Sequence, residues 1–349
     1  MPSKSTGLPI KDKRQIERYT YNNVRVFAAF SVIVGHYGFY SITEYTTYNR
    51  AEWWIGNIYE SFFRSGLPLF LLLTGVLLLP KATGYAFVLK RTKRVLIPFL
   101  IWSFAYAYIN KAPGQPIFFI DLINVFEIKS MHLWFVYTIL LIYILMPLLK
   151  YFWDKNPKLL MRIGIFSYTL SLLYFYVFYD YFDGIWERNM LHHVIVYSFY
   201  ILIGVKMPFI LRNKSLKHGI YFFGTGFIIN LLGAFYLIKN DPFHIDHFYR
   251  SINMHIIIKA IGAFIIIKEL TKRAPNKLNI VFEKLSKYCF GIYFIHPLVI
   301  RYAYLIKFPF KYHFTQYIYS IPLMSFGIFI VSFFIIMLLS KLPFGRYFY

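Results

Sequence analysis

Cysteine occurs once in the 349 residues, at Cys289. An internal disulfide framework and any cysteine-based metal site are thereby excluded. Acidic side chains are scarce too, with 15 Asp and Glu against 38 Lys and Arg. Charged residues of both signs make up 15% of the chain, while hydrophobic residues make up 58%. A soluble domain of this length needs a charged skin, and too few charges are present to supply one. Also missing are a phosphate-binding loop, a dinucleotide fingerprint and a nucleophile-elbow serine motif. The glycines are scattered singly, and no repeat, low-complexity linker or soluble domain interrupts the chain.

What remains is apolar and aromatic. Phe, Tyr and Trp reach 22% of the chain, a composition suited to lipid-facing surfaces and interfacial belts. A net charge of +23 would point to nucleic acid in a soluble protein. Here no basic stripe interleaved with aromatics lies outside the apolar runs, so membrane lipids, and not nucleic acid, are the expected partners. A span needs about 20 mostly apolar residues. Such runs fall near 22–42, 62–80, 95–110, 132–149, 160–178, 191–210, 219–238, 252–268, 287–306 and 319–340. The expected fold is therefore all-α: a polytopic membrane helix bundle of about ten transmembrane helices.

The connecting segments alternate in charge. Taking the two termini and every second loop as one side gathers more than two thirds of the 38 Lys and Arg there. Two thirds of the 15 acidic residues lie on the other side. By the positive-inside rule both termini face the cytoplasm. Residues 1–21 are polar and basic without a small-residue cleavage site, and read as a cytoplasmic tail. Residues 22–340 form the transmembrane domain and 341–349 a second cytoplasmic tail.

Ionisable groups inside spans are costly, so each is a candidate functional residue. In YNNVRVFAAFSVIVGHYG, Arg25 and His36 are separated by roughly 1,100° of helix, about 20° past three full turns, and about 16 Å along the axis. They share one stripe. Alone, each has a plain structural explanation: Arg25 snorkelling to lipid phosphates, His36 bonded to a carbonyl. As an aligned pair they point to a shared channel or substrate. In KRTKRVLIPF, Arg91 and Arg94 are i, i+3 neighbours whose guanidinium forks suit one polyphosphate, although basic clusters at helix ends are also ordinary topology signals. His132 and Trp134 stand at the mouth of the fourth span, where aromatic belt residues are common. His296 sits within a span and is followed by Pro297, which removes a helical hydrogen bond and leaves a polar notch beside an imidazole. Asn253, His255 and Lys259 complete the set. His192, His193, His244 and His247 lack a carboxylate or cysteine at ligand spacing, so no metal is expected.

In order and at familiar intervals, these motifs resemble the membrane-bound acyltransferase 3 family, bacterial multi-spanning proteins that O-acylate glycans. Arg25-x10-His36 is similar to that family's first-helix signature. SGLPLFLLLTG (65–75) is similar to its second-helix segment, with Thr74 where serine is usual. Arg91-x-x-Arg94 with Pro98 resembles the third-helix pattern, and HLWF (132–135) with Tyr143 and Pro147 the fourth. GIYFIHP (291–297) and the SKLPFGRYF ending complete the match. Asn22 stands where aspartate is frequent, and Val26 replaces a small residue. The short chain looks most like the family's single-domain glycan O-acetyltransferases.

The resemblance implies acetyl-CoA or another acyl-CoA as donor co-substrate, and a sugar hydroxyl of a glycan or lipid-linked saccharide as acceptor. The residues suit that chemistry. Arg25, Arg91 and Arg94 would hold the phosphates of CoA, and the Arg25–His36 stripe would guide its narrow pantetheine arm. A neutral imidazole with an ordinary pKa of about 6.5 is a fitting general base for a hydroxyl. Acylation of His36 itself is the other route. The tetrahedral oxyanion needs donors, for which His296, Tyr293 and the HLWF segment are candidates. The rival class is a polysaccharide or lipid-linked saccharide transporter without acyl transfer, which inverted repeats and paired broken helices would mark.

Overall fold

The computed structural model describes residues 12–44, 51–110, 131–178, 190–241, 247–305 and 314–349. These form α1 (Lys13–Glu44), α2 (Ala51–Phe63), α3 (Gly66–Leu78), α4 (Gly84–Asn110), α5 (Trp134–Lys155), α6 (Pro157–Phe178), α7 (Met190–Arg212), α8 (Leu216–Asn240), α9 (Met254–Arg273), α10 (Asn276–Ser286), α11 (Cys289–Leu305) and α12 (Phe314–Leu339). No strand occurs among the described residues. In hydrocarbon every backbone polar group must be satisfied within its own segment, and helices do that. Prolines 98, 147, 208, 297 and 322 lie inside helices, a placement that neighbouring helices make tolerable in a bundle of this kind.

The turns between helices follow local chemistry. α5 and α6 are parted at Asn156–Pro157. Proline at a first helical position loses no hydrogen bond, and Asn156 Oδ1 accepts the Leu159 N–H at 2.9 Å, capping α6. At the start of α8 the Ser215 N–H donates to His218 Nδ1 at 3.3 Å, one half of a reciprocal cap.

α3 is enclosed on most sides. Leu69, Leu71, Leu72 and Leu73 are all buried although they point in different directions, as expected of a helix surrounded by others. It runs against α1 on one side and α7 on the other. At the α3–α7 crossing Gly75 and Gly204 face each other so closely that a Cβ on either would lie 2.9 Å from the other's Cα. Small residues at such a crossing let two backbones touch, the main source of attraction between helices in lipid. α6, α8 and α12 form the outside. Phe166, Leu170 and Leu173 of α6, Leu232 and Tyr236 of α8, and Phe326 and Phe334 of α12 are all exposed. An apolar exterior on this scale is a lipid-facing one.

Seven helical stretches among the described residues are long and apolar enough to cross a membrane, so the chain is a multi-pass helical membrane protein. α1, α4 and α11 coincide with expected spans at 22–42, 95–110 and 287–306 but fall outside that group. The first two begin in basic segments, and α11 is a shorter apolar helix. Two elements depart from the sequence reading. The second crossing is not 62–80 but a 31-residue stretch, Ala51–Lys81, broken between α2 and α3 at Arg64–Ser65. The salt-bridged pair Glu60–Arg64 interrupts the apolar run, which is why a hydropathy reading begins the span too late. α10 is a short amphipathic helix that no 20-residue window detects.

Candidate active site

α1 carries the polar stripe and α11 crosses it. His36 Nδ1 lies 2.8 Å from His296 Nε2, with the two rings stacked at 5.0 Å and 21°. His296 is fully buried, and its Nδ1 lies 2.8 Å from the Tyr293 carbonyl and 3.2 Å from that of Ile292. His132 stands edge-on to both rings, with centroids 5.5 Å from His296 and 6.4 Å from His36. It belongs to a short 3-10 turn, Met131–Leu133, that feeds α5. Its Nε2 is buried and has no hydrogen-bond partner among the described residues. The Tyr293 hydroxyl donates to the His132 carbonyl, and the Tyr106 hydroxyl donates to the Phe294 carbonyl at 2.8 Å. Those two phenols fasten α4, α11 and the His132 turn together. His36 alone of the three imidazoles keeps partial exposure.

One end of the bundle holds the arginines. Arg25 Nη1 donates to Asn22 Oδ1 at 3.2 Å, and that oxygen also accepts from Ser286 Oγ at 3.0 Å. Arg94 lies within electrostatic reach of Arg25, and Arg91 and Arg94 both act on buried Tyr143. Arg91 lies over the Phe87 ring, and its Nε is buried without a hydrogen-bond partner. No carboxylate pairs with any of these three guanidinium groups among the described residues. Like charges gathered without a counter-ion repel one another, so the arrangement favours an anion between them.

The break between α2 and α3 carries a further network. Glu60, fully buried, pairs with Arg64, whose Nε also donates to the Tyr249 carbonyl. Lys259, fully buried on α9, donates to the Ser61 carbonyl, the group that an unbroken helix would have given to the Ser65 N–H. Tyr249 Oη donates to Asn57 Oδ1 at 2.7 Å, and Asn230 Nδ2 to Ser61 Oγ at 3.1 Å. Arg64 reaches α1 beside Gly35 and acts electrostatically on His36.

The structure thus brings His36, His296, His132 and Tyr293 into one cluster, and Arg25, Arg91 and Arg94 into another. It separates Trp134 from the first. That ring packs on His193 at 4.8 Å and on Tyr197 at 6.1 Å. His255 is a satisfied histidine, its Nε2 3.0 Å from the Phe248 carbonyl. Among the described residues no group of three His, Cys, Asp or Glu is placed to hold a metal. Sequence reasoning missed Tyr106, one of 32 tyrosines with nothing in its spacing to mark it. It also missed the Glu60–Arg64 pair, which a one-dimensional reading places at the edge of a span.

An acyltransferase domain model, that of the acyltransferase 3 family, matches residues 18–341 and so takes in both clusters. Neither the curated proteins nor the solved structures include a match to the chain. Coverage of that extent shows that the chain belongs to the acyltransferase 3 family and is a membrane acyltransferase.

Proposed function

We propose that this acyltransferase takes an acyl group, acetyl above all, from acyl-CoA and delivers it to a sugar hydroxyl of a cell-surface or lipid-linked polysaccharide. In this reading it resides in a bacterial cytoplasmic membrane, crosses it about ten times and keeps both termini in the cytoplasm. Its counterparts are single-domain enzymes such as the enterobacterial common antigen O-acetyltransferase. One observation carries the reading. Three arginines without a carboxylate gather around one end of the α1 stripe, and an imidazole pair lies about 16 Å further along it. A CoA head presents several phosphates and a narrow arm, which suits a cationic mouth leading to a base.

Arg25, Arg91 and Arg94 hold the phosphates, and the thioester reaches the level of His36. The acceptor hydroxyl gives its proton to His36 as its oxygen bonds to the thioester carbonyl carbon. The carbon–sulfur bond then breaks, and the departing thiolate takes the proton back from His36 and leaves as CoA thiol. The oxyanion between these steps needs a donor. Tyr293 Oη and His296 Nδ1 are committed to backbone carbonyls, so they are poor candidates. Arg64 suits the role better. Glu60 and the Tyr249 carbonyl fix two of its nitrogens, which leaves Nη2 for the substrate. His132 Nε2 and the partly exposed Trp134 ring are the candidates for contact with the acceptor sugar.

The decisive experiment is acyl transfer by the purified protein in nanodiscs, with acetyl-CoA and an oligosaccharide acceptor. Thiol release should depend on the acceptor, and the acceptor should gain one acyl mass increment. Saccharide flux across proteoliposomes without thiol release from any acyl-CoA would overturn the reading in favour of a transporter.

A further inference from the structure

We infer that His296 is a positioning residue rather than a group that touches substrate, and that Pro297 sets its orientation so that His36 presents a bare Nε2 to the acceptor hydroxyl. The inference rests on His36 being the base. It deepens that role by saying which nitrogen acts and what holds it.

In an unbroken helix the N–H of residue 297 would bond the carbonyl of residue 293, but proline has no N–H. The Tyr293 carbonyl is therefore left without its helical partner, and His296 Nδ1 lies 2.8 Å from it. A carbonyl oxygen only accepts, so the proton belongs to His296 Nδ1. A neutral imidazole has one N–H, which leaves a lone pair on His296 Nε2. That lone pair faces His36 Nδ1 at 2.8 Å, so the bridging proton is carried by His36 Nδ1. The remaining nitrogen of His36, Nε2, then has a free lone pair. His296 is fully buried and His36 partly exposed, so the chain runs from a dry anchor toward the open side of the cluster. No carboxylate is part of it, and the role that an acid has in a Ser-His-Asp triad falls to a proline-freed carbonyl acting through a second imidazole. When His36 takes the hydroxyl proton on Nε2, the Nδ1–H bond to His296 tightens and spreads the new positive charge across both rings.

The test uses the full chain in nanodiscs and compares two substitutions. His296→Leu removes the acceptor for His36 Nδ1–H, whereas His296→Gln keeps an amide oxygen there. His296→Leu should lower kcat by about 10²-fold or more while the KM for acyl-CoA stays unchanged, and His296→Gln should recover most of that loss. Nitrogen NMR of labelled histidine, assigned by the signal lost in His36→Gln, should place the His36 proton on Nδ1 in the native protein and on Nε2 in His296→Leu. Near-native kcat in folded His296→Leu, or a native His36 protonated on Nε2, would overturn the inference. If the leucine variant does not fold, Pro297→Ala serves instead. It returns an N–H that competes for the Tyr293 carbonyl, so kcat should fall with KM unchanged. A native kcat and an unmoved His36 proton in that variant would overturn it equally. His36→Ala separates the two levels. If it still transfers acyl groups, the base assignment itself fails, and if it is inactive while His296→Leu is native, only the orienting role fails.

Discussion

At the scale of single residues, the clearest expectation concerns His36. It lies on the same stripe as an arginine yet far enough from it for binding and chemistry to be separable. A general base contributes about 10²–10⁴-fold to rate, so His36→Ala should collapse turnover while acyl-CoA binding stays near normal. His36→Gln keeps a polar side chain but takes no proton, and should be nearly as inactive. A folded His36→Gln protein with more than about a tenth of native rate would contradict the assignment. The arginine cluster should behave differently. Arg91→Ala and Arg94→Ala should each weaken acyl-CoA binding by about 1.5–3 kcal/mol, the worth of a charged hydrogen bond. Arg94→Lys should restore only part, since an ammonium lacks the guanidinium fork. Titration of CoA against the folded variants decides this, and unchanged affinity in both alanine variants would remove the phosphate clamp. Arg25, His36 and His296 stand out in the sequence because an ionisable group in an apolar run is conspicuous, and Arg91 and Arg94 because they are i, i+3 neighbours in a basic cluster. Tyr106 and Tyr143 were not legible as contacts, because in a chain with 32 tyrosines only the packing says which ones meet a histidine or an arginine.

At the scale of elements, two contacts decide whether the helices stay where the chemistry needs them. The α3–α7 crossing depends on Gly75 and Gly204, because a methyl on either meets the opposing backbone, which cannot rotate away as a side chain can. Gly75→Ala should cost about 1–3 kcal/mol, seen as a lower melting temperature in detergent. Gly224→Ala is the control. A Cβ there meets nothing within 4 Å, and alanine is the better helix former, so its melting temperature should hold or rise. The broken crossing gives a charge-based counterpart. Two cations, Arg64 and Lys259, act on the single carboxylate of Glu60. Glu60→Gln leaves fully buried Lys259 and half-buried Arg64 without their carboxylate, which should cost about 3–5 kcal/mol. Lys259→Met leaves the Glu60–Arg64 pair intact and should cost less. A melting temperature lower in Lys259→Met than in Glu60→Gln would mean that the lysine bond to the Ser61 carbonyl outweighs the charge balance. This network was invisible to sequence reading for a physical reason. Its members come from α2, α8, α9 and the 247–253 segment, and an ion pair at i, i+4 reads locally as the polar end of a span.

At the scale of the whole molecule, hydropathy was the most legible signal: nine of the ten apolar runs expected from the sequence overlap a single helix, and the run at 62–80 instead straddles the break between α2 and α3. What it did not give was the interior order. α3 is enclosed between α1 and α7 while α6, α8 and α12 are exposed, and no single-chain pattern says which of several equally apolar helices is surrounded and which faces lipid. The expected orientation of the bundle comes from charge instead. More than two thirds of the 38 Lys and Arg fall on the side that holds the Arg25, Arg91 and Arg94 mouth. Basic residues near span ends are retained on the cytoplasmic face, so that mouth should open to the cytoplasm, where acyl-CoA is found. Reporter fusions near Lys81, Asn156 and Lys272 should therefore score cytoplasmic, and fusions near Asn49, Asp183 and Asp241 external. Lys272 is the most demanding site. It lies at the end of α9 and just before the amphipathic α10, so its side of the membrane depends on every crossing before it being counted correctly, including α1 and α4, whose basic ends make them the least apolar. An external signal at Lys272 together with a cytoplasmic one at Asn156 would mean that one helix between α6 and α9 does not cross. It would also place α10 and Ser286, which meets the Asn22 oxygen that holds Arg25, on the face away from the donor.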